Sequence, residues 1–156
     1  MLNQLQGVFA SFHRHDVKYV VIGGIAAVLH GVPRATFDLD ILIEATHDNA
    51  QHLLDALVEA QFGTASLITA EELLANEITI FKDRVRIDVQ TSTPGLQFGN
   101  AWQHRETMEY RGQMFYLVTR EDLIAAKQAA GRPVDLEDIR LLKLQPENPE
   151  DQGPNA

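Results

Sequence analysis

Two aspartates one residue apart head an otherwise apolar run, Asp38-Leu39-Asp40-Ile41-Leu42-Ile43, and such a run has few ways to fold. Side chains alternate across a β-strand, so Leu39, Ile41 and Ile43 share one face while Asp38 and Asp40 share the other. The apolar face calls for a core, and the paired carboxylates call for solvent or a cation. Residues i and i+2 of a strand lie about 6 to 7 Å apart at their backbones, close enough for both side chains to reach one metal ion or share two.

What precedes this strand is equally ordered. Leu5, Val8, Phe9 and Phe12 recur at helical spacing over residues 4–13, and a β-prone run, Tyr19-Val20-Val21-Ile22, then stops at Gly23-Gly24. Residues 25–29 suit a short helix closed by His30-Gly31, with Pro33 beyond. A glycine pair after a strand lets backbone N–H groups approach phosphate oxygens, and the helix that follows offers its positive end to the same anion; a plain tight turn is the alternative. Arg34-Ala35-Thr36 leads into the acidic pair. Arg34 could be a forked donor to a triphosphate or an ordinary loop residue, and Thr36 reads more naturally as structural.

Downstream, Leu53, Leu54, Leu57 and Val58 form the apolar stripe of a helix over about 47–61, with Thr46 as its N-cap. Residues 63–76 are ambiguous. Two β-prone runs at 78–81 and 85–89 flank Lys82-Asp83-Arg84 as an antiparallel hairpin, and in the second run Val85, Ile87 and Val89 face one way while Asp88 faces the other. Asp88 is thereby the candidate third carboxylate, unless Arg84 or Arg86 pairs with it on the same face. A loop or weak helix over 96–105 and two short strands at 108–110 and 114–118 follow. Thr119 with Asp122 opens a helix that ends near Ala130, before Gly131 and Pro133. A last helix starts near Asp135 with Leu136, Ile139 and Leu142 on one face. Lys127 stands one turn after Leu123, beside the core-facing stripe, where an ammonium either snorkels or has a phosphate or carboxylate partner in the cleft. The reading is one α/β (α+β) domain over 1–144, a mixed β-sheet flanked by helices with further helices at the C-terminus. A disordered tail rich in Pro, Asn and Glu is expected over 145–156.

Composition narrows the chemistry. A chain of 156 residues without cysteine excludes disulfides, thiolate metal sites and a cysteine nucleophile, and it fits a cytoplasmic setting. Neither a signal peptide nor a membrane-spanning run is visible. The net charge of −9 disfavours a broad phosphate-binding surface, although a local basic groove remains compatible with it. The spacing matches neither Gly-x-Gly-x-x-Gly nor the P-loop, and no histidine pair has metal-ligand spacing. Hard carboxylate oxygens suit Mg²⁺ or Mn²⁺.

Gly23-Gly24, then Arg34-x-Thr36-x-Asp38-x-Asp40, then Asp88 in an apolar strand resembles the nucleotidyltransferase superfamily that includes DNA polymerase β. The likeness covers about residues 18–142. More narrowly, the chain is similar to small bacterial nucleotidyltransferases related to the abortive-infection toxins, in which a C-terminal Lys followed by Ala-Gly-Arg-Pro and an acidic helix also occurs, here Lys127 to Pro133 with Asp135 and Asp138. The resemblance implies a minimal nucleotidyltransferase fold with Asp38, Asp40 and Asp88 as catalytic metal ligands. It further implies nucleotide contacts from Gly23, Gly24, Arg34, Thr36 and Lys127. An NTP would be the substrate and a hydroxyl on RNA, protein or a small molecule the acceptor, with a protein antitoxin as a partner in the toxin-like case. Many superfamily members carry Gly-Ser at the glycine pair, so a hydroxyl contact to phosphate is missing here. The alternative is a module that keeps the fold for nucleotide binding or protein interaction without turnover.

Overall fold

The computed structural model describes residues 2–146; most of the segment expected to form a tail lies outside the described residues. The elements run α1 (Leu2–Arg14), β1 (Tyr19–Ile22), α2 (Gly23–Leu29), β2 (Asp38–Ile43) and α3 (His47–Glu59). A 3₁₀ turn (Gly63–Leu67), α4 (Ala70–Ala75), β3 (Ile78–Lys82), β4 (Arg86–Gln90) and α5 (Phe98–His104) follow. The chain ends with β5 (Glu106–Tyr110), β6 (Gln113–Leu117), α6 (Arg120–Ala130) and α7 (Pro133–Lys143).

The six strands form one mixed sheet in the order β3-β4-β2-β1-β6-β5. β2 lies antiparallel to β1 and parallel to β4, and β3 and β4 form the expected hairpin. Register assigns the faces. Tyr19 opposes Ile43, Val21 opposes Ile41, and Ile41 and Leu39 oppose Val89 and Ile87, so these apolar side chains share one face. α1 covers that face, with Phe9 stacked on Tyr19 and Phe115. α2 packs on the other face between the β1–β2 pair and α6, and α6 packs on α7. Asn49 pins the start of α3 to the sheet: its amide accepts from Lys18 N–H at 2.8 Å and donates to the carbonyls of Lys18 and Glu44 at 3.0 and 2.9 Å.

The caps follow the local chemistry. The Thr46, Thr69 and Thr119 hydroxyls accept from backbone N–H groups three residues on, and Gly131 closes α6 at φ 65°, a left-handed conformation that glycine adopts without strain. Several expectations are corrected. Gly23 and Gly24 are not a turn between elements but the first residues of α2, so β1 runs straight into the helix. Val58 is exposed, since the stripe of α3 is filled by Asn49, Ala50, Leu53, Leu54, Ala56 and Leu57. Of the readings left open, the helical one holds for residues 98–104, and 63–75 resolve into the 3₁₀ turn and α4. On α7, Leu136 points outward at 56% exposure, and the inward face carries Asp135, Asp138, Ile139 and Leu142. Two carboxylates displace a leucine from the buried face because three basic side chains, Arg34, Lys127 and Arg132, meet them there.

Candidate active site

Parallel pairing of β2 with β4 sets Asp40 directly opposite Asp88 and Asp38 opposite Arg86. Opposed residues share a face, so all three carboxylates stand on the side of the sheet away from α1. They line a cleft of about 360 Å³ whose sheet wall also holds Ile22, Gly23, Ile78, Arg86 and Gln90. Thr93 and Pro94 border it, and α6 and α7 face it with Leu123, Ala126, Lys127, Ala130, Arg132 and Asp135.

Asp40 is the strained member of the trio. Burial, then the charges of Asp88 and Asp38 and a hydrogen bond shared with Asp88, push its pKa from 3.8 to about 7, with only Arg86 pulling the other way. The trio therefore carries more negative charge than its surroundings neutralise. Arg86 supplies the compensation that exists: its Nε and Nη2 donate to Asp88 Oδ1 and Oδ2 at 2.8 and 3.1 Å, and Nε stands 3.9 Å from Asp38 Oδ2. Among the described residues no group of three His, Asp or Glu side chains is closed around a cation position. The donor chemistry nevertheless fits a hard divalent cation, since three carboxylates on neighbouring strands are held against their own repulsion.

The glycine pair serves this geometry. β1 ends with Ile22 opposite Asp40, and the chain turns into α2 at Gly23, φ 69°. A Cβ there would overlap the Asp40 carboxylate and come within 2.9 Å of Asp40 Cβ, so only glycine leaves Asp40 its place. A Cβ on Gly24 would meet Thr36 Oγ1 at 2.8 Å and Arg34 Nη2 at 3.3 Å. No side chain caps α2, whose first backbone N–H groups follow directly from the cleft-lining Gly23.

The opposite wall is a buried ionic network. Lys127 Nζ donates to Asp138 Oδ2 at 2.7 Å and lies 3.6 Å from Asp135 Oδ1. Arg34 clamps Asp138 through Nε and Nη2 at 3.0 and 2.8 Å. Arg132 binds Asp135 through Nε and Nη2, and its backbone N–H donates to the same carboxylate. Burial opposes the charge on Asp135 and Asp138, but hydrogen bonds from Arg132 to the first, and from Arg34 and Lys127 to the second, outweigh it and hold both pKa values below the ordinary carboxylate range. Lys127 thus has carboxylate partners rather than a snorkelling path. Arg34 and Thr36 flank Gly24, and neither lines the cleft. Sequence reasoning passed over Arg86, Gln90, Ile78 and Arg132 as cleft residues; for Arg86 and Gln90 the signal was present, because each is two positions from Asp88 on one strand face.

An acidic trio on a sheet, a glycine-started helix beside it and a wall of paired Lys127, Arg132 and Asp135 opposite make up the cleft. The chain belongs to the family described as "nucleotidyltransferase of unknown function" (DUF6036), whose model matches residues 3–147. It is similar in fold to a crystal structure from Thermotoga maritima described as a "putative nucleotidyltransferase", at 16% identity and a TM-score of 0.59, with 89% of each chain covered. No curated protein gives a significant match. No helix among the described residues is long and apolar enough to cross a membrane.

Proposed function

We propose that the cleft binds a nucleoside triphosphate together with Mg²⁺ or Mn²⁺ and transfers the nucleoside monophosphate to a hydroxyl acceptor on RNA, protein or a small molecule. In the transfer, the acceptor oxygen bonds to the α-phosphorus, the bond from that phosphorus to the bridging oxygen of the β-phosphate breaks, pyrophosphate leaves, and the hydroxyl proton passes to solvent. The observation that carries the reading is the register of Asp40 against Asp88, with Asp38 on the same face.

Asp38, Asp40 and Asp88 would hold the divalent cation, which when bound supplies charge neutralisation for the triphosphate and lowers the pKa of the attacking hydroxyl. Gly23 keeps the space for the Asp40 carboxylate and, with Gly24, offers backbone N–H groups to phosphate. Lys127 and Arg132 line the opposite wall, and the N–H groups they do not give to Asp135 and Asp138 would face the phosphates. Arg34 and Thr36 brace Gly24 and tie the approach to β2 onto α7 through Asp138, which orients the phosphate-facing backbone.

Incubation with Mg²⁺, α-labelled NTPs and cell extract tests the reading. Label transfer by the native chain that vanishes in Asp40→Ala supports it, and transfer that persists in that variant removes it. In the toxin-like form of this function, expression arrests growth and the same substitution relieves the arrest. One observation favours a second reading, a binding module without turnover: both oxygens of Asp88 are already engaged by Arg86. Calorimetry separates the two, since metal-dependent NTP binding with no product is the module's signature.

A further inference from the structure

We infer that Arg86 is a built-in counter-ion, holding the third carboxylate while no divalent cation is present and releasing it when one enters. This rests on the reading of the cleft as a cation and nucleotide site. Arg86 precedes Asp88 by two residues on β4 and stands opposite Asp38 in register, so it reaches both carboxylates from the same face. Its fork engages both Asp88 oxygens at once, at 2.8 and 3.1 Å, with Asp38 Oδ2 3.9 Å away. A divalent ion on the remaining lone pairs of Asp88 would stand close to the guanidinium, and the repulsion between two cations on one carboxylate in a half-buried cleft favours departure of Arg86.

The other basic groups of the cleft are committed elsewhere. Lys127 is held by Asp138 and Asp135, and Arg132 by Asp135, carboxylates of the opposite wall that are at most 2% exposed. Of the cleft-lining bases only Arg86 is paired with a member of the trio. Its side chain is 40% exposed, so it can leave Asp88 without crossing the core, and its backbone keeps it in the cleft. A displaced guanidinium then faces the anionic ligand whose charge arrives with the metal. Arg86 therefore opposes binding of a bare cation and favours binding of a triphosphate once the cation is seated.

These two effects have opposite signs, which no purely structural role reproduces. Mn²⁺ is titrated into purified full-length protein and followed by electron paramagnetic resonance, first alone and then at saturating Mn²⁺ with a non-hydrolysable NTP analogue. Relative to the native chain, Arg86→Gln is expected to bind Mn²⁺ about tenfold tighter and, at saturating Mn²⁺, the analogue about tenfold more weakly, the scale of one charge-assisted contact. Arg86→Lys, which keeps the charge but cannot grip both oxygens, falls between, and it carries the test should Arg86→Gln not fold. Equal or weaker Mn²⁺ affinity in the folded variant, with the native chain still binding Mn²⁺, overturns the role of Arg86 and leaves the proposed function standing. Absence of Mn²⁺ binding in native chain and variant alike overturns both.

Discussion

Replacing Asp40 by Asn tests the electrostatics of the trio independently of any substrate. With no cation present, Asp40 has its pKa raised from 3.8 to about 7 by burial and by the charges of Asp88 and Asp38. The native state therefore binds a proton more tightly than the unfolded chain, and stability falls as pH rises from 3.8 to about 7. A gap of roughly three pH units corresponds to at most about 4 kcal/mol; with the cleft side open to water, about 1 to 2 kcal/mol is the working figure. The substituted amide carries no charge and can donate a proton to Asp88 in a hydrogen bond, so Asp40→Asn should exceed the native chain in stability by that amount at pH 8 and match it near pH 4. The measurement is urea unfolding in EDTA at a series of pH values, where groups outside the trio titrate alike in both proteins and cancel in the difference. A gain of this size raises Tm by about 2 to 8 °C for a chain of this length. Excess Mg²⁺ at pH 8 should then stabilise the native chain and not the variant. A stability difference that stays constant from pH 4 to pH 8, or a variant less stable throughout, would show that Asp40 is not under the strain described.

Other substitutions separate the two walls of the cleft. Gly23→Ala forces a Cβ into a left-handed backbone and against Asp40, so it should lower stability by about 1 to 2 kcal/mol in urea unfolding and weaken Mn²⁺ binding, whereas Gly7→Ala, with open space around it, should do neither. Asp138→Asn withdraws the charge that Arg34 and Lys127 share and should cost about 2 to 3 kcal/mol near neutral pH, discounted for the partial exposure of Arg34. Because the folded-state pKa of Asp138 is lowered, its contribution is present above the ordinary carboxylate range and lost as pH falls through the depressed value, so the variant should show a flatter acid limb in thermal melts. Lys127→Met should cost less, about 1 kcal/mol, because Asp138 keeps Arg34 and Asp135 keeps Arg132, yet it should weaken nucleotide binding measured by calorimetry. Asn49→Leu leaves Lys18 N–H and the Glu44 carbonyl without their side-chain partner and the Lys18 carbonyl with Glu44 N–H alone, and should lower stability by about 2 to 3 kcal/mol in urea unfolding.

The acidic face was legible because strand alternation is a strict period of two, which puts Asp38 with Asp40 and separates Asp88 from Ile87 and Val89 on β4 without any tertiary information. The adjacency of β2 and β4 was only an expectation, and their parallel register supplied it. Helix faces were less legible. On α7 an apolar reading selects Leu136, whereas the buried face selects Asp135 and Asp138, and nothing local distinguishes a carboxylate that is paired inside from one that is solvated. The pairing partner of Asp138, Arg34, lies 104 residues away in sequence. Long-range ion pairs of this kind invert the hydrophobic pattern that helix reading depends on. Arg86 was weighed only as a rival for Asp88, although its place on the same face made it a cleft residue as surely as Asp88 itself.

The charge pattern of the two walls restricts what the cleft accepts. Asp38, Asp40 and Asp88 are met on the sheet side by Arg86 alone, which leaves that wall short of about two positive charges when all three acids are ionised. On the helical side Lys127 and Arg132 are matched by Asp135 and Asp138, and the further positive charge of Arg34 holds Asp138 from outside the cleft. On the proposed function a divalent cation would satisfy the first wall, whereas a bare polyphosphate would be repelled by it. On that reading the phosphates of a metal-chelated nucleoside triphosphate would enter with a cation that offsets the charge of the acidic wall. Under the same proposal, the network of Lys127, Asp135 and Asp138, which are buried, would keep hydrogen-bonding groups beside the phosphates that apolar packing of equal volume could not supply.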